Sequence, residues 1–321
     1  MKRTVITIAT GKVLYINFAI NLARSFHYWH VDTDIGFRIV TDRPELFPPD
    51  VGSKSTIVTV RPGELGDGFS SKLFLDRLAP DGQTLFIDGD CLIFGDLSPV
   101  FERFKGRSVS VVGGYVSSGE WFGDVATICK KFSVPHLPKF NGGLYYLEKG
   151  DVANSVYQRA RDIEPQYDDI GFVRLRNKPN DEVIMALAMQ LEGLVPIADD
   201  GTILSDPLAC PGKYKINVET GEALLVNPPL PHIMHRSWYP FHKVSPLIVH
   251  FLGAHTEDFL YKTETAKLPL LLEKNLNVWN RLGILFNIEY PARIKIGFKK
   301  MFRPIYRMLF GSRKIQPSER V

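Results

Sequence analysis

Near the start lies a mostly apolar run, Thr4-Val5-Ile6-Thr7-Ile8-Ala9, closed by Thr10-Gly11-Lys12. A run of that length before a turn signal reads as a buried strand. The pattern then changes period. Phe18, Leu22 and Phe26 recur every four residues with Ala19 and Ala23 beside them, which predicts a helix over residues 14–29. Strands are predicted again at residues 37–42, 55–60, 108–114, 140–148 and 247–255, and in Leu85-Phe86-Ile87, which runs into Asp88. Helices are predicted from a Ser71 cap to Leu78, from an Asp151 cap to Ile163, and over residues 181–190 behind an Asn180 cap. The last carries Val183, Ile184, Leu187 and Ala188 as its buried stripe. Residues 199–246 are rich in proline and aromatics and read as irregular.

Strands alternating with helices imply an α/β fold, a Rossmann-like, mainly parallel sheet flanked by helices. Ligands of such sheets bind beyond the carboxyl ends of the strands, so the loops at residues 9–12 and 88–90 are expected to meet one ligand. Composition is that of a globular protein, 45% hydrophobic and 23% charged over 321 residues, with a net charge of +4 too mild to suggest a nucleic-acid partner. The three cysteines, Cys91, Cys129 and Cys210, are far apart and have no metal-site spacing, which points to a reducing compartment. The start has no apolar stretch of signal-peptide length and no run approaches a membrane span, so a cytoplasmic location is expected.

Toward the end the character changes. Residues 291–314 carry eight Lys/Arg, no acidic residue, and interleaved Ile, Phe, Met, Leu and Tyr. Such basic amphipathic segments lie in membrane interfaces and are drawn to anionic lipid, so peripheral attachment to the cytoplasmic membrane face is expected.

The chemistry concentrates at Asp88-Gly89-Asp90, between two apolar runs. Two carboxylates at a strand end are hard oxygen ligands for Mn²⁺ or Mg²⁺, cations that bind through one or two carboxylates plus substrate phosphates. The pattern alone is weak, since Asp32-Thr33-Asp34 repeats it in a polar stretch that reads as a solvated turn. Its meaning depends on what accompanies it: Ala9-Thr10-Gly11-Lys12 with Tyr15 before it, then Phe140-Asn141-Gly142-Gly143, Asn180-Asp181-Glu182, and His250-Phe251-Leu252-Gly253.

In order and spacing these motifs resemble the family 8 glycosyltransferases, the retaining GT-A type that includes glycogenin and bacterial lipopolysaccharide galactosyl- and glucosyltransferases. The resemblance spans residues 3–260. It implies a GT-A domain over residues 1–262, with a nucleotide-sugar half at about 1–110 and an acceptor half at about 111–262, followed by a helical basic extension over 263–321. It further implies that Asp88, Asp90 and His250 hold Mn²⁺ (or Mg²⁺). Ala9, Thr10 and Tyr15 would hold the uridine, with the tyrosine stacked on the base, while Gly89 and Gly253 complete the two metal-side motifs. Lys72 would face the donor, Asn141, Gly142 and Gly143 would line the sugar, and Asp181 would lie near the reacting sugar face. The family pattern His-x-x-Gly-x-x-Lys is kept at His250 and Gly253 but has Thr256 at the lysine position; His255 and Lys262 are the neighbouring cations that would replace it.

The chemistry asks for these residue types on its own account. A departing diphosphate needs charge stabilisation, glycines let backbone approach a sugar, and a carboxylate favours an oxocarbenium-like transition state. The expected function is therefore transfer of a hexose from a UDP-sugar to a glycan or glycolipid hydroxyl. Two alternatives are a sugar nucleotidyltransferase, whose Gly-rich, Arg-Lys signature is missing near the first strand, and a degenerate glycan-binding protein. His232, His235 and His242 lack the ligand spacing of a zinc site and read as part of a segment that shapes the acceptor site.

Overall fold

The structure is a computed structural model and describes residues 1–66 and 68–311. In chain order its strands are β1 (Arg3–Ala9), β2 (Ile35–Thr41), β3 (Thr56–Thr59), β4 (Gln83–Ile87), β5 (Cys91–Ile93), β6 (Val109–Ser110), β7 (Val112–Val116), β8 (Leu137–Phe140) and β9 (Leu144–Glu148). The later part adds β10 (Ile197–Ala198), β11 (Leu204–Ser205), β12 (Lys215–Asn217), β13 (Glu222–Val226), β14 (Lys243–Val244) and β15 (Ile248–His250).

A six-stranded sheet of order β3–β2–β1–β4–β9–β6 forms the centre. β3, β2, β1 and β4 are parallel, and β9 runs antiparallel to both β4 and β6. Both faces are covered, which is why these strands read as continuous apolar runs rather than alternating ones. Val5, Leu85, Leu144 and Tyr146 face the side packed by helix Val13–Trp29 through Ile16, Leu22 and Phe26. Ile6, Phe86, Tyr145 and Leu147 face the other side, packed by helices Asp151–Ile163 and Asp181–Leu191.

Three small sheets surround this centre: β10–β7–β8, β11–β15–β5 and β12–β13–β14. They account for most departures from the sequence expectations. The run at 108–114 is two strands in different sheets, and 140–148 is split at Asn141-Gly142-Gly143 into β8 and β9. Segment 199–246 contains the β12–β13–β14 sheet; β12 and β14 are too short for alternation to be visible, while β13 alternates along Glu222–Val226. The helix expected behind Ser71 is instead a 3-10 segment, Gly68–Phe74, running into one α-turn, Leu75–Leu78; the Ser71 hydroxyl donates back to the Gly68 carbonyl rather than capping forward. Asn180 does cap, accepting from the amides of Glu182 and Val183. Asp32 and Asp34 are exposed in a turn.

Helix Phe259–Leu272 packs Tyr261 and Leu268 into the core cluster that holds Phe251. Beyond it, Val278–Ile284, Leu285–Glu289 and Tyr290–Phe310 form one continuous helical rod with no buried residue. Residues 312–314 of the basic tail lie outside the described residues. No helix among the described residues is long and apolar enough to cross a membrane.

One ion pair fixes the Gly68–Leu78 segment to the body. Arg161 donates to both oxygens of Asp76, at 2.8 and 3.0 Å, and to the Leu73 carbonyl at 2.6 Å. Asp76 is only 4% exposed, so removing its carboxylate strands the guanidinium in a poorly solvated place. Asp76→Ala is therefore expected to lower unfolding stability by about 3 kcal/mol, read as a reduced urea midpoint.

Candidate functional site

β4 ends at Ile87 and the chain turns through Asp88-Gly89-Asp90 into β5, leaving the central sheet for the small one. Two strand pairings then build the site. Ile87 pairs with Leu144 of β9, and the amide of Asp88 donates to the Gly143 carbonyl at 3.0 Å. β15 pairs antiparallel with β5 so that His250 lies opposite Cys91, and the amide of Phe251 donates to the Asp90 carbonyl at 3.0 Å. The sheet register thus joins residues some 160 positions apart in sequence.

The His250 Nε2 lies 3.0 Å from Asp90 Oδ1 and 3.8 Å from Asp88 Oδ2. Its other nitrogen, Nδ1, donates to Asn141 Oδ1 at 2.8 Å. That oxygen also accepts from the Gly143 amide at 2.8 Å, and Asn141 Nδ2 donates to Asp206 Oδ2 at 2.9 Å. The amide is therefore oriented by donors on one side and an acceptor on the other, and it holds the imidazole with Nε2 toward the carboxylates. This is the support that a histidine ligand usually has. The close fit requires glycine: a Cβ on Gly143 would fall 2.5 Å from His250 Nδ1.

Lys72 is buried beside this cluster. Its ammonium donates to Asp88 Oδ2 at 2.7 Å and to the Gly142 carbonyl at 2.9 Å, and lies 3.3 Å from Asp181 Oδ2. The Tyr145 hydroxyl donates to the same Asp181 oxygen at 2.6 Å. Glu182, next along the helix, accepts from the Gly142 amide at 2.8 Å. Asp181 and Glu182 both occupy the first turn of their helix, where negative charge suits the helix dipole.

The charges respond to one another. Burial by itself would lower the Lys72 ammonium, but the Asp181 and Asp88 carboxylates outweigh it and hold it above its ordinary value. Burial likewise opposes a charged imidazole, yet Asp90 pulls His250 up to about 9. Burial works against the Asp90 carboxylate, but His250 holds it below the usual range, whereas burial and Asp90 leave Asp88 raised. Burial, with Asp181 beside it, pushes Glu182 up to about 7.

Asp90, Cys91 and His250 present ligand atoms within 4.8 Å of one another. The Cys91 side chain, however, points into the core, and burial drives its thiol well above the ordinary value, so it stays protonated. Asp88 is the better partner, being a hard oxygen donor that faces the same imidazole nitrogen. The donor set Asp88, Asp90 and His250 suits Mn²⁺ or Mg²⁺, with room left for further oxygen ligands.

These groups line one cleft of about 1100 Å³. Thr10, Tyr15, Lys72, Gly89, Asn141, Gly142, Asp181 and Gly253 line it together with Asp88, Asp90 and His250. Ala9 is buried and does not line it, and Gly143 lies behind the wall against His250. His255 and Lys262 are also off the lining, held by Asp258 and Glu257 at 2.9 and 2.7 Å. Neither is placed to stand in for the cation absent at Thr256. Glu182, part of the Asn180-Asp181-Glu182 motif but given no role from sequence, is also on the lining, as are Asp206 and Arg176. Glu182 adjoins a residue already singled out and was within reach; Asp206 and Arg176 sit in stretches with no motif. Tyr115, Trp121 and Trp238 also line the cleft and add aromatic surface.

Glu182 gives a pH signature. Its folded-state value lies above the ordinary carboxyl value of 4.5, so the stability tied to its neutral form is present below that value and is lost as pH rises through about 7. In metal-free protein, Glu182→Gln should remove this loss, a gain over wild type on the order of 2 kcal/mol at pH 8 relative to pH 4.5, measured by urea unfolding.

No family model matches the chain, and no curated protein matches it in sequence. Solved structures do match it in fold. The galactosyltransferase LgtC, in complex with donor and acceptor sugar analogs, aligns with a TM-score of 0.51 at 14% identity, over 86% of this chain and 97% of that one. An active-site mutant of LgtC aligns with a TM-score of 0.53 at 15% identity, with the same coverage of 86% and 97%. The chain therefore has the GT-A architecture of these glycosyltransferases, from the central sheet through most of its length.

Proposed function

We propose that this protein is a divalent-metal-dependent, retaining glycosyltransferase that moves a hexose from a UDP-sugar to a hydroxyl of a glycan or glycolipid. The observation that carries the reading is the convergence of Asp88, Asp90 and His250 in the main cleft of a GT-A fold, with the imidazole held by Asn141. Asp88, Asp90 and His250 would hold Mn²⁺ or Mg²⁺, and such an ion supplies Lewis-acid stabilisation to a departing diphosphate.

The surrounding residues divide the remaining work. Tyr15, half-buried on the lining, offers its ring to the uracil. The Gly142 backbone, with no side chain in the way, lets the sugar approach the Lys72–Asp181 pair. Asp181 is held by Tyr145 and Lys72 with its carboxylate toward the cleft, a fixed negative charge near a sugar ring that gains positive character as the bond breaks. Trp121, Trp238 and Tyr115 supply flat apolar faces suited to the acceptor sugar.

The rod at the end of the chain fits a membrane-borne acceptor. In helix Tyr290–Phe310, Ile294, Phe298, Met301, Phe302, Ile305 and Leu309 share one face by helical spacing, while Arg293, Lys299, Lys300, Arg303 and Arg307 share the other. Phe302 and Leu309 are 50% and 64% exposed, and an apolar face so open beside a basic one is the pattern of an interfacial helix. We place the enzyme on the cytoplasmic, anionic face of a membrane on this ground.

Two measurements test these readings. Calorimetry should show UDP binding that depends on Mn²⁺ and is lost in a folded Asp88→Ala variant, along with sugar transfer from UDP-glucose or UDP-galactose; equal UDP affinity with and without metal rejects the metal role. Removing residues 291–321 should abolish co-sedimentation with vesicles containing phosphatidylglycerol; unchanged pelleting rejects membrane attachment.

A further inference from the structure

As the sugar bond breaks, the departing UDP takes on more negative charge than one divalent ion neutralises, and the cleft already holds several carboxylates. A cation is needed that those carboxylates have not claimed. Lys72 is taken by Asp88 and Asp181 at 2.7 and 3.3 Å. Lys139, also on the lining, lies over the Trp238 ring at 5.8 Å. Thr256 gives its hydroxyl to the Gly253 carbonyl at 3.0 Å and carries no charge. Lys12 sits over the Tyr15 ring at 5.8 Å but is off the lining.

Arg176 remains. It lines the cleft, and no carboxylate among the described residues pairs with it. It stands on a two-residue turn closed by two backbone bonds of 3.0 Å between Leu175 and Lys178. Arg176 and Asn177 have φ of 55° and 62°, the left-handed pair of a tight hairpin turn. Glycine and asparagine favour such positions, and an arginine there carries a backbone cost that its side chain must offset elsewhere. Its guanidinium reaches across the cleft mouth: Nη2 lies 3.7 Å from the point where a Cβ on Gly253 would stand, three residues past His250. The Tyr15 phenol is raised chiefly by burial, with Arg176 acting to lower it and Asp90 to raise it, so guanidinium and carboxylate bear on the same ring.

We infer that Arg176 is the residue that clamps the donor's diphosphate, closing the anion site between Tyr15 and the Asp88–Asp90–His250 cluster. The inference rests on the nucleotide-sugar reading above. Guanidinium suits the task because its planar donors bind phosphate oxygens in pairs. The site's missing cation is then supplied from a turn well before His250 in the chain rather than from the segment after it.

The test uses the full chain with Mn²⁺ and two ligands: UDP by calorimetry and uridine, which has no phosphate, by NMR titration at millimolar concentration. Arg176→Gly keeps the left-handed turn and removes the charge; Arg176→Lys keeps a charge but not the fork. Arg176→Gly should weaken UDP about tenfold or more, with Arg176→Lys in between, while uridine binding stays as in wild type. UDP affinity unchanged in Arg176→Gly, or UDP and uridine weakened alike, overturns the clamp and leaves the nucleotide-sugar reading standing. Wild-type protein that binds neither ligand overturns both.

Discussion

Carboxylates leave water only when cations or hydrogen-bond donors answer them, and this cleft gathers Asp88, Asp90, Asp181, Glu182 and Asp206 near the Lys72 ammonium and the His250 imidazole. Lys72 is the centre of that balance. It is 8% exposed, it touches Asp88, Asp181 and the Gly142 carbonyl, and it lies 5.5 Å from the Phe86 ring. Its place is in turn held by Arg161 and Asp76 through the short segment that carries it. The site is thus tied to the second hydrophobic face of the sheet, and its geometry depends on packing that lies outside the cleft.

Backbone register does the rest. β4 delivers Asp88 at the edge of the central sheet, and the Asp-Gly-Asp turn hands the chain to a second sheet in which β15 lies against β5. His250 reaches Asp90 because it is opposite Cys91 in that pairing. A one-residue slip would turn the imidazole to the other face. Asn141 serves as the joint between these sheets: it stands in the break between β8 and β9 and bonds His250, Gly143 and Asp206. Its observed contacts are those of a positioning group for the imidazole.

Much of this was legible in the residues. The apolar runs of β1, β2 and β4, the four-residue spacing of Phe18, Leu22 and Phe26, and the Asn180 cap are local signals with local causes, and they appear in the fold at nearly the expected bounds. The contrast between Asp88–Asp90 and Asp32–Asp34 was legible too, because flanking hydrophobicity separates a strand end from a solvated turn. What escaped were groups whose meaning is entirely spatial. Asp206 matters through its bond to Asn141, and Arg176 through its place across from Gly253. His255 and Lys262 are near Thr256 in sequence, but Asp258 and Glu257 draw them away from the cleft.

The sequence by itself determined the α/β class, the order of the main elements, the strand-end carboxylate pair and the basic amphipathic tail. Each depends on periodicity or on neighbours within a few residues, the range over which side-chain pattern controls backbone conformation. Only the tertiary structure decided which cations face which carboxylates, that Cys91 turns inward while Asp88 turns out, and that Arg176 lines the cleft with no carboxylate partner among the described residues. Those outcomes depend on strand register, on burial and on charges brought together from distant segments, and electrostatics in a cleft is a property of distances that no single stretch of chain contains.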